Sequence, residues 1–473
     1  MKPHYPYALS LLVLSTLIGK LALAAPPSVR SAGASPPTAL SARNDSGELR
    51  TVFLNGASLD LHNPFFQSLG TNGRACVTCH VPADDWTITP QRAQARFLAT
   101  GGHDPLFAPV DGTNSPNADR STLAARWKAS SMLLRKGLIR VGIGIPDNAE
   151  FTLEAVDDPY GFASARELSL FRRPLPSTNL RFLTGVMWDG RESATQTGTA
   201  PLSAVLTEDE NHANLIADLK HQVNDATRGH AQAAFDLTEA QQQAIVDFEM
   251  ALATAQQSDV GAGPLDTQGA QGGPANLARQ PFYITINDAL GADRFGQPFD
   301  SSAMTLYNDW LHSANPRRAQ IARGAVLFNT KPILIAGVAG LNDDLKQPVL
   351  AGTCTTCHDS PNVGNHSVPL AINIGLSDAS HRTPDMPLYT LRNKQTGETV
   401  QTTDPGRALI TGKWADIGKF KGPVLRGLAA RAPYFHNGLA ANLEEVVTFY
   451  DTRFHIGLTK QEKADLVAFL KTL

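Results

Sequence analysis

The four cysteines of this chain constrain its fold and chemistry more than any other feature. They form two pairs, with two residues between the thiols and a histidine directly after each pair: Cys76, Cys79 and His80, then Cys354, Cys357 and His358. Thiols at this spacing can form thioethers to the two vinyl groups of one haem, and the adjacent histidine reaches the iron. A redox dithiol or a four-cysteine zinc site would leave both histidines unexplained. The motifs therefore predict two covalently bound haem c groups with His80 and His358 as iron ligands.

The N terminus has the layout of a secretory signal peptide. Lys2 precedes an apolar run from Ala8 to Ala24, which ends in the small-residue site Ala-Leu-Ala. We therefore expect residues 1–24 to be a signal peptide and the mature protein to be periplasmic. No later segment approaches the roughly 20 uninterrupted apolar residues of a membrane-spanning helix, so we expect no membrane anchor. The formal net charge of −3 provides no basic surface for nucleic acid, which is not an expected partner.

Composition divides the rest of the chain into four segments. Residues 25–46 are rich in Pro, Ser, Ala and Gly and are predicted to be a flexible linker. An N-terminal haem domain is predicted over 47–257, a loop-rich connector over 258–314 and a C-terminal haem domain over 315–473. The connector is placed there because residues 258–276 are rich in Gly, Gln and Pro, which is typical of a long surface loop.

Apolar periodicity predicts helices in both haem domains. Ile245, Phe248 and Leu252 share one face of a helix predicted over Thr238–Gln256. A second helical run covers residues 319–328, and the chain ends in a helix that Thr459 and Glu462 begin with a capping box. We find no strongly alternating strands. The predicted fold is mainly α, with two cytochrome c-like haem domains packed across an interface, long loops and little strand.

Two segments outside the haem motifs carry a family resemblance. Val186–Arg191 (VMWDGR) lies between the motifs, and Ala432–Gly438 (APYFHNG) is followed by Leu443–Val447 (LEEVV). In this order, and with both haem motifs, the chain resembles the dihaem cytochrome c peroxidase and MauG superfamily. The resemblance implies that the N-terminal haem reacts with peroxide and the C-terminal haem transfers electrons. It also implies that Trp188 lies between them as a relay, whereas the alternative for any single Trp is a packed core residue.

The resemblance also implies a sixth ligand for the C-terminal haem, which is Met in the peroxidases and Tyr in MauG. The matching interval after His436 ends at Tyr450, and no Met follows Met386. Tyr450 is therefore the expected ligand, with His455 as the alternative, and His436 is expected near the haem without binding its iron. A phenolate oxygen stabilises oxidised iron, whereas axial Met raises the potential. Tyr450 thus favours MauG-like storage of oxidising equivalents across both haems.

The N-terminal haem is expected to be five-coordinate or water-bound. The nearby candidate for a displaceable distal histidine is His103, which we expect in a surface turn. Glu208 matches the carboxylate that assists cleavage of the O–O bond in the family, and Glu210 is close by. The carbonyls of Arg431 and Pro433 match positions that hold a structural calcium ion in the family, and oxygen ligands suit that ion.

These expectations define one leading function and two alternatives. The leading function is a cytochrome c peroxidase-type oxidoreductase with hydrogen peroxide as acceptor. Its reductant would be a small periplasmic cytochrome or cupredoxin, or its substrate a side chain of another protein. The first alternative is a non-catalytic dihaem electron-transfer protein or sensor with both irons six-coordinate. The second alternative, ranked third overall, is a dihaem oxygenase, which an enlarged apolar pocket above the His80 haem would favour.

Overall fold

Helices and short strands alternate along the chain in the computed structural model, which describes residues 37–193 and 208–473. For residues 208–212 it describes the backbone alone. The predicted signal peptide, residues 1–24, lies outside these ranges. Among the described helices, none is both long and apolar enough to cross a membrane.

The described residues contain ten α-helices and thirteen β-strands. The helices are α1 Pro90–Thr100, α2 Leu123–Ala129, α3 Ser131–Lys136, α4 Glu208–Gly229, α5 Glu239–Met250, α6 Pro274–Leu277, α7 Pro316–Thr330, α8 Ala408–Thr411, α9 Leu443–Phe454 and α10 Lys460–Leu470. The strands are β1 Ala39–Asn44, β2 Gly47–Phe53, β3 Ile139–Ile143, β4 Phe151–Asp157, β5 Leu168–Arg172, β6 Leu252–Asp259, β7 Gly263–Pro264, β8 Ile333–Ala336, β9 Val349–Gly352, β10 Ala371–Ile372, β11 Leu388–Asn393, β12 Thr399–Thr402 and β13 Phe420–Lys421.

The strand content is higher than the sequence predicts. Helix accounts for 31% of the structure and strand for 17%, so the prediction of little strand is wrong. The strands form antiparallel sheets in the orders β1-β2-β6-β7 and β12-β11-β4, together with the pairs β3-β5, β8-β9 and β10-β13. Strand β2 pairs with β6, and β4 pairs with β11, across long stretches of chain. Local patterns do not reveal such pairings because the partner strand is distant in sequence.

The predicted flexible linker over 25–46 is wrong at its C-terminal end. Strand β1 pairs with β2 as a hairpin, with Ala39 opposite Val52 and Asn44 opposite Gly47. The side chain of Asn44 accepts a hydrogen bond from the backbone N–H of Ser46 at 2.9 Å, which stabilises the turn. The turn residues Asn-Asp-Ser-Gly were the local signal for this hairpin.

Helix α5 confirms the first part of the helix predicted over Thr238–Gln256. Thr238 caps it in a capping box with Gln241, but the helix ends at Met250 and strand β6 begins at Leu252. The strand is buried on both faces, so it shows no alternation of apolar and polar residues. A short apolar run of this kind cannot be assigned to helix or strand from periodicity alone.

The connector over 258–314 is irregular, as predicted, but it does not form a surface loop. Its apolar side chains Leu265, Tyr307 and Trp310 are buried in the same cluster as residues of α7 and α10. Gly272 permits this packing because a Cβ there would lie 2.7 Å from the Leu265 carbonyl oxygen and from the Tyr307 hydroxyl. Glycine in this segment therefore allows close packing rather than mobility.

Helices α7 and α10 confirm the predictions for the C-terminal part. In α10 the Thr459 side chain accepts from the N–H of Glu462, and the Glu462 carboxylate accepts from the N–H of Thr459 at 2.7 Å. The two helices cross closely at Gly324, where a Cβ would lie 2.0 Å from the Asp465 carbonyl oxygen. The division of the chain into two haem domains stays a prediction.

A buried ion-pair network holds the W-D-G-R segment in place. Arg172, at the end of β5, pairs with Asp189 of this segment and makes two bonds to Asp404, at 2.6 and 2.9 Å. These three side chains are almost completely buried. The Asp189 carboxylate also pairs with Arg191, and its pKa is held down to about 2 by Arg172 and Arg191 against the opposing effect of burial.

We expect Asp189→Asn to lower the free energy of unfolding by about 3 kcal/mol, because removing one partner leaves buried charge uncompensated. Urea denaturation followed by circular dichroism measures this change. The matched control is Asp157→Asn, which removes an exposed pair with Arg382 and should change the midpoint little. Equal effects of the two substitutions would contradict a special role for the Asp189 network.

Candidate functional site

The two C-x-x-C-H segments have the same local structure. Each forms a short 3₁₀ turn, over Cys76–Thr78 and over Cys354–Thr356. In each turn the histidine N–H donates to the carbonyl of the first cysteine, at 3.0 Å for His80 and 3.1 Å for His358. A threonine hydroxyl accepts from the backbone N–H three residues earlier, at 3.0 Å in both. The four cysteines form no disulfide, so all four thiols are available.

Both histidines are held in one orientation and one tautomer. The Nδ1 atom of His80 lies 2.9 Å from the Trp86 carbonyl, and that of His358 lies 2.6 Å from the Gly364 carbonyl. A carbonyl can only accept, so Nδ1 carries the proton and Nε2 is left as the basic nitrogen. Burial lowers the pKa of His80 to about 4 and also lowers that of His358. Neutral imidazoles with a free Nε2 are suited to bind iron.

Each motif lines its own cavity. The volume of the first cavity is about 180 Å³ and that of the second is about 220 Å³. The first cavity holds the thiols of the first motif and His80, with walls that include Leu69, Leu180, Leu183, Val186, Leu219 and Val223. The second holds the thiols of the second motif and His358, with walls that include Phe328, Ile335, Phe420, Val447, Leu466 and Leu470.

The two cavities share a wall. Pro174, Lys421, Pro423 and Arg431 line both of them. Burial and the Arg431 charge lower the pKa of Lys421 to about 8, and burial lowers the pKa of Arg431. A layer of residues that carries buried positive charge therefore separates the cavities.

The chemistry of these residues fits two haem c groups. Paired thiols can form the thioethers, each histidine Nε2 can bind iron, and the apolar walls suit the porphyrin ring. Buried charges need partners of opposite sign: Arg431 pairs with Asp85 at 3.3 Å, and a haem propionate would be an anion for Lys421.

Trp188 lies beside the shared wall. Its indole Nε1–H donates to the Arg173 carbonyl at 2.8 Å, and its ring lines the second cavity. The two preceding residues, Val186 and Met187, line the first cavity. Trp188 is buried, as the core alternative also requires, so its relay role stays a prediction.

Tyr450 and His436 line the second cavity, whereas His455 does not. His455 is exposed at the C-terminal end of α9. Burial and the nearby cysteines raise the pKa of Tyr450. His436 is 1% exposed, stacks on Phe420 with ring centroids 3.9 Å apart, and neither ring nitrogen has a hydrogen-bond partner among the described residues. Burial lowers its pKa to about 4, so His436 is neutral.

The residues predicted around the first haem are only partly described. Glu208 begins α4, but its side chain and that of Glu210 lie outside the described part of the structure. His103 is exposed and does not line the first cavity, which confirms its expected surface position.

His230 lines the first cavity and was missed by sequence reasoning. Its Nδ1 pairs with the carboxylate of Asp111, which is buried and also pairs with Arg74. Nothing local marks His230, because it follows α4 and is distant in sequence from both Asp111 and the first haem motif. The pair places an imidazole with a fixed partner at this cavity.

Glu249 also lines the first cavity and was not predicted. The side chain is 5% exposed, and its Oε2 has no hydrogen-bond partner among the described residues. Burial raises the pKa of Glu249 to about 8, although a hydrogen bond with Ser177 opposes this. Glu249 is therefore mainly a neutral acid at pH 7. A carboxyl on the apolar side of α5, next to Phe248, was the sequence signal for it.

The predicted calcium site does not fit the structure. The Arg431 carbonyl accepts a hydrogen bond from the guanidinium of Arg173 at 3.1 Å. Of the two carbonyls expected to bind calcium, those of Arg431 and Pro433, the first is thus already bound to a cation of the chain itself.

Each of the two cavities is lined by one C-x-x-C-H segment, an arrangement that fits two haem c groups. No family model matches the chain. It is 33% identical over 140 residues to the cytochrome-c peroxidase IdrP1 of Pseudomonas sp. (strain SCT), covering 25% of this chain and 36% of that protein. It is 33% identical over 123 residues to the cytochrome c551 peroxidase of Nitrosomonas europaea, covering 25% and 30%.

Over about a quarter of its length the chain is therefore similar in sequence to cytochrome-c peroxidases. Its match spans about a third of the length of these curated relatives. Among solved structures, a MauG-like protein associated with microbial copper homeostasis aligns over 87% of both chains, with 17% identity and a TM-score of 0.35.

We expect the stability of the protein to fall as pH rises from about 4.5 to about 8, because folded Glu249 keeps its proton where the unfolded chain has lost it. Glu249→Gln should remove this loss, which is on the order of 4 kcal/mol for a pKa raised to about 8. Urea midpoints at pH 5 and pH 8 measure it. Glu239→Gln, at the exposed start of the same helix, is the control. Parallel pH profiles for wild type and Glu249→Gln would show that Glu249 is not responsible.

Proposed function

We propose that the chain is a periplasmic dihaem c-type oxidoreductase that reacts with hydrogen peroxide at the first site and exchanges electrons with the second. Bound haem c would supply the redox and peroxide chemistry at both sites. The observation that carries this proposal is the shared wall, because Pro174, Lys421, Pro423 and Arg431 line both cavities. Redox groups separated by one layer of residues can exchange electrons rapidly.

The relatives support the choice of peroxide as acceptor. Both curated proteins reported above are named as peroxidases. The predicted electron donors, a small periplasmic cytochrome or cupredoxin, and the alternative of a protein substrate, extend this proposal. Neither is tied to a described surface.

His80 and His358 would each bind iron through Nε2. Their Nδ1 hydrogen bonds to the Trp86 and Gly364 carbonyls fix the ring orientation and raise the basicity of Nε2. Neither histidine needs to lose a proton first, because burial lowers both pKa values.

Proton transfer at the first site would need a general acid-base. Glu208 remains the predicted general acid-base. Glu249 adds a neutral carboxyl with an unpaired oxygen, and His230 adds an imidazole whose Nδ1 pairs with Asp111. A carboxylic acid whose pKa is near 8 can donate a proton at neutral pH.

Trp188 would connect the two sites. Its hydrogen bond to Arg173 fixes the indole, whose edge approaches His436 with ring centroids 6.2 Å apart. Since Val186 and Met187 line the first cavity and Trp188 lines the second, the segment Val186–Trp188 touches both. This position supports an electron or hole relay.

One observation favours the electron-transfer alternative. His230 lines the first cavity, and its Nδ1 is bound to Asp111, which leaves Nε2 able to bind a metal. A histidine at the sixth position of the first iron would close that site to peroxide. The coordination of the first iron therefore separates the two functions.

The deciding experiment mixes the as-purified diferric protein, shown to carry two haems per chain, with stoichiometric hydrogen peroxide in a stopped-flow spectrometer. EPR of the same sample reports the spin states. We expect one high-spin haem that reacts quickly, and spectral changes at both haems. Trp188→Phe should slow the change at the second haem while the first still reacts. Two low-spin haems, inert even after half-reduction, would make the chain an electron carrier or sensor.

We expect Tyr450→Met to raise the reduction potential of the second haem, because a thioether stabilises reduced iron relative to a phenolate. Spectroelectrochemical titration measures this potential. His436→Gln is the matched variant in the same cavity and should shift the potential much less. If only His436→Gln changes the potential and the EPR spectrum, the ligand is His436 and not Tyr450.

A further inference from the structure

Arg173 is a buried cation at the wall between the two cavities. Its side chain is 4% exposed, and its hydrogen bonds to described residues go to backbone carbonyls only. Nη1 donates to the carbonyls of Ile88 at 2.6 Å and Gly137 at 3.0 Å, and Nη2 donates to that of Arg431 at 3.1 Å. One guanidinium thus binds three segments of the chain that are far apart in sequence.

The backbone of Arg173 also forms hydrogen bonds with His436 and Trp188. Its N–H donates to the His436 carbonyl at 2.7 Å, and its carbonyl accepts from the Trp188 indole at 2.8 Å. Any shift of Arg173 would therefore move the Trp188 indole and the backbone of His436, two residues that line the second cavity.

A cluster of carbonyl oxygens is also what a calcium ion binds, but the charges here exclude it. Calcium takes six to eight oxygen ligands and usually several carboxylates. The charged neighbours of Arg173 are the cation Arg431 and the carboxylate of Asp84, which pairs with Arg92 at 2.8 Å. The nearby carboxylate of Asp85 pairs with Arg431 at 3.3 Å. A divalent ion would meet the positive charge of Arg431 and two carboxylates that already pair with arginines, and it would compete with the Arg173 guanidinium for the Arg431 carbonyl.

We propose that the guanidinium of Arg173 takes the place of a structural metal ion at this junction, so that the chain needs no calcium to hold its two cavities together. The planar guanidinium suits this position because it presents five N–H donors in a fixed geometry and keeps its charge. The proposal goes beyond the reaction with peroxide and does not depend on it.

The first test uses the haem-loaded wild-type protein. It is dialysed against calcium chloride and then against metal-free buffer, and its calcium content is measured by mass spectrometry of the elements. Thermal unfolding is recorded in EDTA and in calcium chloride. We expect no stoichiometric calcium and the same Tm in both buffers. One calcium ion per chain, together with a lower Tm in EDTA, would overturn the proposal.

The second test is Arg173→Asn, which removes the cation and leaves the carbonyls open to an added ion. We expect a lower Tm than wild type in EDTA, partly restored by calcium chloride. Arg126→Met is the control, since Arg126 also donates to two backbone carbonyls but lines neither cavity. Any loss of Tm in this control should be the same in both buffers.

An Arg173→Asn protein with wild-type Tm in EDTA would refute a holding role for the guanidinium. If this variant does not fold, the metal content and Tm of the wild-type protein still decide between a guanidinium and calcium. Both readouts are independent of peroxide reactivity, so failure of this inference and failure of the proposed function can be told apart.

Discussion

Buried positive charge between the two cavities is the constraint on which the rest of the structure depends. Lys421 and Arg431 line both cavities, and Arg173 lines the second and donates to three backbone carbonyls. Burying such charges is unfavourable unless anions or dipoles offset it. Arg173 satisfies this condition through backbone carbonyls and Arg431 through the carboxylate of Asp85, and a haem propionate would provide an anion for Lys421. Cofactor binding and the stability of this wall are therefore linked.

The W-D-G-R segment is attached to this wall through two consecutive arginines, Arg172 and Arg173. The carboxylate of Asp189 binds the side chain of Arg172, and the indole N–H of Trp188 donates to the carbonyl of Arg173. Consecutive arginines at 172 and 173 thus serve opposite partners, one a pair of carboxylates and the other a set of carbonyls. Trp188, which lines the second cavity, is held by its own hydrogen bond to Arg173 and by the bond between its neighbour Asp189 and Arg172.

The sequence predicted the parts of the site that depend on short spacing. The haem motifs and the capping box of α10 follow from local patterns, whereas Tyr450, which lines the second cavity, was predicted from its interval after His436 in the family resemblance. It did not predict Glu249, His230 or Arg173, because their roles come from partners far away in the chain. The linker and connector were misjudged for a related reason: Gly, Pro and Ser are typical of loops, yet here they form a hairpin turn and permit close packing.

Because residues from both ends of the chain form the shared wall, the first cavity closes only after the C-terminal part has been synthesised. The first motif lies near the start of the chain, yet Lys421, Arg426 and Arg431, which line its cavity, lie near the end. During synthesis the first pair of thiols is therefore available long before its cavity can close. A haem attached to Cys76 and Cys79 at that stage would still be open to solvent on one side, and the C-terminal segment would enclose it last.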